Sequence, residues 1–389
     1  MSVQTVTITR RGAERLRGGH LWVYRSDVGD AASAAGGSTV RVRDERGRAL
    51  GRALYSDRSE IALRLLTWRD EETDRDWWRA RLRAAIARRA GVEREADAFR
   101  LVYSEGDALP SLVVDRYSDV LVLQTLSQGT ESLKTLLVGL LVEELRPRSV
   151  VERNDVRVRR LEGLEMTAGV LHGEDPGELE VVQHGVRFRV APLGGQKTGA
   201  FLDQRENHTA AARAARGRAL DCFTFNGGFA LAMSSRCESV LGLDISAEAV
   251  AAARRNAELN GAGNVEFREA NVFDALRELQ EAGASFDTVV LDPPAFAKNR
   301  ASLPAAARGY KEINLRALKL LAPNGVLVTC TCSHHMTEPL FLDVLRDAAA
   351  DARRRVQIVE RRAQSSDHPV LVGVPETYYL KCVVARVIE

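Results

Sequence analysis

From about residue 217 onward, short apolar runs alternate with longer amphipathic segments. "RALDCFTF", "SVLGLDI", "VEFREA", "FDTVVLD", "GVLVTCTC" and "VQIVERR" are rich in apolar and β-branched residues and predict buried strands. "GGFALAMSS" opens a helix after the first of them. After the second, Ser246 stands as N-cap of "AEAVAAARRNAELN", which ends at Asn260-Gly261. The closing run, "ETYYLKCVVARVIE", follows its predecessor without a helix and is expected antiparallel to its neighbour. Such alternation predicts an α/β doubly wound, mostly parallel sheet, whose ligands sit at the C-terminal strand ends near the switch point.

The rhythm before residue 217 is different. "STVRVRD", "ALGRALYS" and "EIALRLLTW" predict short strands with Gly and Asp turns between them, a small β-barrel-like module reaching about Trp68. "TDRDWWRARLRAAIARRAG" predicts an amphipathic helix with Thr73 as N-cap, an apolar stripe of Trp78, Leu82 and Ile86, and Gly91 past its end. Strands at "FRLVYS", "SLVVDRYSDVLVLQTL" and "SVVER", with one helix over "TESLKTLLVGLLVEEL", make the middle region α+β. "GELEVVQ" and "VRFRVAP" flank a His-Gly turn and predict a hairpin. The expected domains are therefore residues 1–72, 73–185 and 186–389.

Composition narrows the class. At 389 residues, 45% hydrophobic and 28% charged, the chain is long enough for two or three globular domains. No apolar run is long enough to span a membrane, and the N-terminus lacks the apolar core of a secretory signal, so a cytoplasmic location is expected. The 5 cysteines form no C-x-x-C pair, which argues against a disulfide framework. Residues 1–69 hold 13 Arg against 7 acidic residues, a surplus of 6 in a chain of net charge +2. A basic N-terminal module suits a polyanion, although a solvated Arg-rich surface has the same composition.

The strand ends carry the candidate chemistry. The first gives "DCFTFNGG", placing Asp221, Asn226, Gly227 and Gly228 at the turn into a helix, where backbone N–H groups can approach a ligand. The second ends in Asp244, a carboxylate able to accept both hydroxyls of a ribose. The third ends near Asn271, which could bond an adenine edge. Each alone is more often a cap or turn residue than a ligand contact. Without a G-x-G-x-x-G, the set describes a nucleoside cofactor lacking a pyrophosphate, which fits S-adenosyl-L-methionine. The fourth strand ends in Asp292, and Pro293 and Pro294 make the loop after it rigid and extended.

The fifth strand ends in "TCTCSHHM". Residues two apart on a strand share a face, so Cys330 and Cys332 point the same way with Cys332 nearer the open end. Adjacent fourth and fifth strands would bring Cys332 near Asp292. The cysteine spacing does not suit zinc, so no metal is expected. His334 and His335 read as cap or helix-entry residues rather than ligands. "GGQKTG" lacks the glycines of a P-loop, which excludes that mode of ATP binding.

In combination, "GGQKTGAFLDQREN", "DCFTFNGGFAL", "LGLDIS", "LDPPAFAK" and "TCTCSHHM" resemble the bacterial PUA-linked 23S ribosomal RNA 5-methylcytosine methyltransferases of the large-subunit methyltransferase I type. The resemblance spans essentially the whole chain, with "HLWVYRSDV" and "LGRALYSDRSEIALRLLTW" similar to the PUA domain of that family. It implies a class I (Rossmann-like) methyltransferase sheet preceded by a β-rich PUA RNA-binding domain and an α+β central domain. It further implies that Phe201, Asp203, Gln204 and Arg205 wrap the cofactor. The implied partner is 23S rRNA, free or in a large-subunit particle, with no membrane; a homodimer is compatible. Two positions depart from related patterns: Asn271 stands where an acidic residue is common, and Ala295 where one branch of RNA 5-methylcytosine enzymes has a second Cys.

That chemistry needs a thiol, because carbon 5 of cytosine becomes nucleophilic only after a thiolate adds to carbon 6. The resemblance casts Cys332 as this nucleophile and Asp292 as the group that assists at ring nitrogen 3. Two alternatives have their own signatures. An exocyclic-amine methyltransferase acting on adenine or guanine would carry an aromatic residue directly after the two prolines, where Ala295 stands before Phe296. A non-catalytic RNA-binding assembly factor would not need the full series of strand-end motifs.

Overall fold

The alternation after residue 217 folds as seven strands: β1 (Arg218–Cys222), β2 (Ser239–Asp244), β3 (Val265–Glu269), β4 (Phe286–Leu291), β5 (Leu321–Thr331), β6 (Val356–Arg362) and β7 (Lys381–Val387). They form one sheet in the order β3-β2-β1-β4-β5-β7-β6. Neighbours from β3 to β5 are parallel, while β7 is antiparallel to both β5 and β6. The strand order reverses at β1, so the openings beside it are where a ligand is expected. The computed structural model describes residues 3–31, 34–194, 200–297 and 299–388.

Among the described residues, six helices belong to this sheet: α1 (Arg205–Ala214), α2 (Gly228–Ser234), α3 (Ala247–Asn260), α4 (Val272–Glu281), α5 (Leu303–Leu320) and α6 (Glu338–Ala352). The Ser246 hydroxyl caps α3 by accepting from Ala249 N, and Gly261 closes it in left-handed backbone at φ 62°. The apolar faces of α4, α5 and α6 pack against the strands through Leu276, Ile313, Leu318, Phe341, Leu220 and Leu327. Each such side chain contributes about 1.5–3 kcal/mol by leaving water. This core anchors the strands whose polar ends carry the site.

The chain divides into two units. The first comprises Met1–Val181, Val190–Ala200 and Asp367–Thr377, and the second Val182–Arg189, Phe201–Ser366 and Tyr378–Glu389. In the first, a six-stranded sheet surrounds Val6, Val23, Val42 and Leu63. A five-stranded sheet packs with two helices, Arg75–Arg88 and Lys134–Leu145, around Trp78, Leu82, Val114 and Leu140. Leu54 and Leu66 of the first sheet join that second cluster, and Arg64 pairs with Glu162 at 2.7 Å in the interior.

Two local expectations change. The helix N-cap is Asp74, not Thr73, because the Asp74 carboxylate accepts from Trp77 N at 2.9 Å. The helix expected over residues 130–145 is split into Gln128–Ser132 and Lys134–Leu145, and it starts earlier because Ser127 and Thr130 close a capping box on the first piece. The His-Gly hairpin forms between Leu179–Gln183 and Val186–Val190, with His184 at φ 47° and Gly185 at φ 83°.

Candidate functional site

β1 ends in Asp221 and Cys222, and the chain turns into α2 through a strained loop. Phe223 (φ 66°) and Phe225 (φ 50°) both adopt left-handed backbone. Such conformations cost on the order of 1–3 kcal/mol per residue and persist where surroundings hold them. Here Thr224 N donates to Leu243 O at 2.9 Å, Phe225 N donates to Asp244 Oδ2 at 2.9 Å, and the Phe225 ring meets Phe201 edge-on at 4.7 Å. A Cβ on Gly227 would lie 3.0 Å from the Phe267 ring, and one on Gly228 would lie 2.5 Å from the His208 ring. The space at Gly228 is thus filled by α1, so packing by itself demands glycine there. Burial holds His208 far below the usual histidine range, at about 3, so it packs as a neutral ring.

Asp221 is completely buried. Its Oδ2 accepts from Thr224 Oγ1 at 2.5 Å and from Ala230 N at 3.0 Å, while its buried Oδ1 has no partner among the described residues. Burial pushes the carboxyl up to about 7; the two hydrogen bonds oppose the rise and the Asp244 charge adds to it. Asp244, at the end of β2, accepts from Phe225 N and from Ser246 N, one on each oxygen. A carboxylate has about four acceptor positions, so both oxygens keep capacity for further donors. The next residue, Ile245, is an apolar side chain left 69% exposed, a feature that sequence patterning did not single out. Asn271 caps α4 by accepting from Phe273 N at 3.0 Å. Asn226 contributes its carbonyl to Asn256 Nδ2 at 3.0 Å.

At the end of β4, Asp292 Oδ1 accepts from Gln204 Nε2 at 2.8 Å. Gln204 is buried, and its own carbonyl accepts from Asn207 Nδ2 at 2.7 Å, which fixes the orientation of the amide. Asp203, beside it, accepts from Tyr379 Oη at 2.6 Å. Pro293 is buried and Pro294 exposed. The Phe296 ring packs on Tyr310 at 4.7 Å and faces Phe273 and Phe223 at 6.0 and 6.4 Å. Residues 195–199 and Lys298, parts of two quoted motifs, lie outside the described residues.

The two cysteines of β5 have different surroundings. Cys330 is fully buried, and burial together with Cys382 and Asp292 pushes its thiol well above the ordinary range. Leu291 of β4 pairs with Thr329 of β5, so the next residue, Asp292, comes level with Cys330 rather than with Cys332. Cys332 is partly exposed just past the strand end. The loop it occupies is braced from α5: Thr331 Oγ1 donates to Tyr310 Oη at 2.8 Å, and Tyr310 Oη meets Ser333 Oγ at 2.9 Å. Burial also raises the Tyr310 phenol, which keeps it neutral and able to hydrogen-bond. Tyr310 went unnoticed in the sequence because its position fits the apolar stripe of an ordinary helix. His334 and His335 form a turn and stack edge-on at 5.5 Å.

Arg205 faces a cavity that Gly228 also lines. Its guanidinium lies 3.1 Å from His184 Nε2 and 3.3 Å from Glu206, and it lines that cavity of about 300 Å³ with His184, His208, Ser234 and Asn260. A guanidinium only donates, so His184 Nε2 is the acceptor and the His184 proton sits on Nδ1. Among the described residues, no group of three or more His, Cys, Asp or Glu side chains could hold a metal ion. No described helix is long and apolar enough to cross a membrane.

Comparison with known proteins bears on this geometry. A family model described as S-adenosylmethionine-dependent methyltransferase matches residues 149–383, and one described as PUA-like domain matches residues 6–68. A "Ribosomal RNA large subunit methyltransferase I" from Shewanella denitrificans is 42% identical over 97% of this chain and 98% of its own. A protein of the same name from Erwinia tasmaniensis is 40% identical over the full length of both chains. Among solved structures, a candidate S-adenosylmethionine-dependent methyltransferase from Streptococcus mutans superposes with a TM-score of 0.83 at 17% identity, covering 99% of this chain and 100% of the other. A second structure, a candidate methyltransferase complexed with SAH, has the same score and identity over 99% of this chain and all of its own.

Proposed function

Because the chain belongs to the S-adenosylmethionine-dependent ribosomal RNA large subunit methyltransferase I family, we propose that it methylates carbon 5 of a cytosine in 23S rRNA through a covalent Cys332–cytosine intermediate. The observation that carries this reading is Cys332 itself. It is a partly exposed thiol at the open end of β5, one strand from the Asp292 loop, whereas Cys222, Cys237, Cys330 and Cys382 are buried. A reactive cysteine needs access and an available thiolate, and a thiol buried among apolar groups has neither.

The strand ends fit the cofactor. Asp221 Oδ1 is a buried acceptor without a protein donor among the described residues, suited to a cationic or N–H donor of the ligand. Asp244 keeps acceptor positions for a ribose diol, and exposed Ile245 offers apolar area to a base. Phe201 and Phe225 close the neighbouring edge, with the backbone of Asn226 and Gly227 between that edge and α2. When bound, S-adenosyl-L-methionine supplies the electrophilic methyl group.

The protein's own part is activation of the base. The Cys332 thiolate forms a bond to carbon 6, and the electron pair of the 5,6 double bond moves onto carbon 5. Asp292, its carboxyl oriented by Gln204, provides the polar contact at ring nitrogen 3. After methylation, loss of the carbon 5 proton to a base restores the double bond and expels the thiolate, which frees the enzyme. The PUA-like segment, with the exposed Arg10, Arg17 and Arg46, supplies phosphate contacts to the RNA in the cytoplasm. Phe296, engaged with Tyr310, Phe273 and Phe223, is not presented as a stacking platform, which speaks against amine methylation.

The test is nucleoside mass spectrometry on 23S rRNA incubated with the protein and methyl-labelled cofactor. Label in 5-methylcytidine is expected. Label confined to adenosine or guanosine would replace this reading with the amine reading.

A further inference from the structure

Lys381 opens β7, opposite Thr331 in the antiparallel register with β5. That register carries its side chain to the loop holding Cys332. It is only 3% exposed. Its Nζ donates to Tyr379 O at 3.0 Å and to Ser333 O at 3.4 Å, and it lies 5.3 Å from the centre of the Tyr378 ring. An ammonium has three N–H donors, and two are taken by these carbonyls. No carboxylate pairs with it among the described residues.

A buried ammonium without a counter-ion is unfavourable, and a lysine in that position would be replaced by an apolar residue at little cost unless its charge were used. Burial lowers the Lys381 ammonium from the usual lysine range, and two acidic groups, the Cys332 thiol and Glu338, oppose that fall electrostatically. Glu338 is already engaged, accepting from Tyr378 Oη at 3.0 Å and facing Arg361 at 3.7 Å. That leaves Cys332 as the group whose ionisation the ammonium can serve.

We propose that Lys381 is a positioning residue whose charge, fixed by the Ser333 and Tyr379 carbonyls, holds Cys332 as a thiolate in the free enzyme. The proton of the Cys332 S–H bond passes to bulk water, the electron pair stays on sulfur, and Lys381 keeps all its protons. The same charge steadies the sulfur when it leaves carbon 6 at the end of the cycle. This rests on the reading of Cys332 as the nucleophile.

Several other titratable groups face this corner. Tyr310 from α5 is held neutral by burial. Glu338 comes from α6, Asp203 through Tyr379, and Cys330 with Asp292 from one pleat deeper. His334 and His335 follow Cys332 in the turn. Of these groups, only the two histidines could supply a second positive charge, and only once protonated at low pH.

The experiment follows alkylation of Cys332 by iodoacetamide across pH 5–10, read by peptide mass spectrometry in the full-length protein. Lys381→Met should raise the midpoint by roughly 1 to 3 pH units, the usual effect of removing an adjacent opposite charge. Lys381→Arg, which keeps the charge, should stay close to wild type. If Lys381→Met does not fold, Lys381→Gln, which retains N–H donors for the carbonyls but no charge, is read in the same way. An unchanged midpoint in a folded neutral variant overturns the proposal. Alkylation does not depend on turnover, so the two ideas fail separately. A shifted midpoint together with an active Cys332→Ala enzyme would keep the ion pair and remove the nucleophile, whereas an unshifted midpoint with an inactive Cys332→Ala would do the reverse.

Discussion

Replacing Asp221 with Asn removes one titrating group at the root of the site while keeping its shape. In the folded protein this carboxyl titrates at about 7, against 3.8 for the ordinary group. Between those values the folded chain carries one proton that the unfolded chain has lost. Stability from this residue is therefore complete below about pH 4 and falls by about 1.4 kcal/mol per pH unit up to about pH 7. Over the window the loss is of order 4 kcal/mol. The Asn variant has no such slope at this position, so its stability relative to wild type should climb from pH 4 to pH 7 and then level off. Trp22, Trp68, Trp77 and Trp78 all lie in the first unit, so their fluorescence does not report on the second. Hydrogen exchange of peptides from β1 and β4, corrected for intrinsic rates and run without cofactor, does. Parallel pH profiles for the two proteins would refute the reasoning and put the Asp221 carboxyl in an ordinary ionised state.

Three further substitutions probe the same framework. Gly228→Ala places a methyl 2.5 Å from the His208 ring and should cost about 1–3 kcal/mol, most of it recovered in a His208→Ala background; strictly additive effects in a thermal-unfolding cycle would contradict the contact. Asp244→Ala should weaken cofactor binding well over tenfold by calorimetry, at about 1.5–3 kcal/mol for each charged hydrogen bond removed, and unchanged affinity in a folded variant would remove Asp244 from the site. Arg10→Ala with Arg46→Ala should weaken RNA binding and lower its log–log salt slope by about 0.7 for each single-strand phosphate that is no longer neutralised, whereas an identical slope would place the phosphate-binding surface elsewhere. Point substitutions suit this last test better than deletion of residues 1–72, because Leu54, Leu66 and Arg64 are built into the neighbouring core.

Local chemistry was legible in the chain and long-range register was not. Ser246 and Gly261 bound α3 because a cap and a left-handed stop are decided within a few residues. His184-Gly185 turns a hairpin for the same reason, and the missing helix before β7 implied its antiparallel setting. The shared face of Cys330 and Cys332 follows from the strand period alone. What escaped notice depends on distant partners. The level of Asp292 against Cys330 is set by how β4 and β5 align, and the need for Gly228 by where His208 of α1 arrives. The burial of Lys381 beside the Cys332 loop comes from the β5–β7 pairing. Even the short-range choice between Thr73 and Asp74 as N-cap turned on a single hydrogen bond, since both residues can serve.

The central claim, that Cys332 attacks the base, is tested most directly on RNA carrying 5-fluorocytosine at the target. Fluorine blocks loss of the carbon 5 proton, so a covalent protein–RNA adduct accumulates after methylation. Cys332→Ala should abolish both adduct and turnover. Cys330→Ala, which alters a buried thiol one pleat deeper, should keep the adduct and lower stability. Peptide mapping of the wild-type adduct should find the nucleotide on Cys332. An adduct that survives Cys332→Ala and disappears in Cys330→Ala would contradict the account.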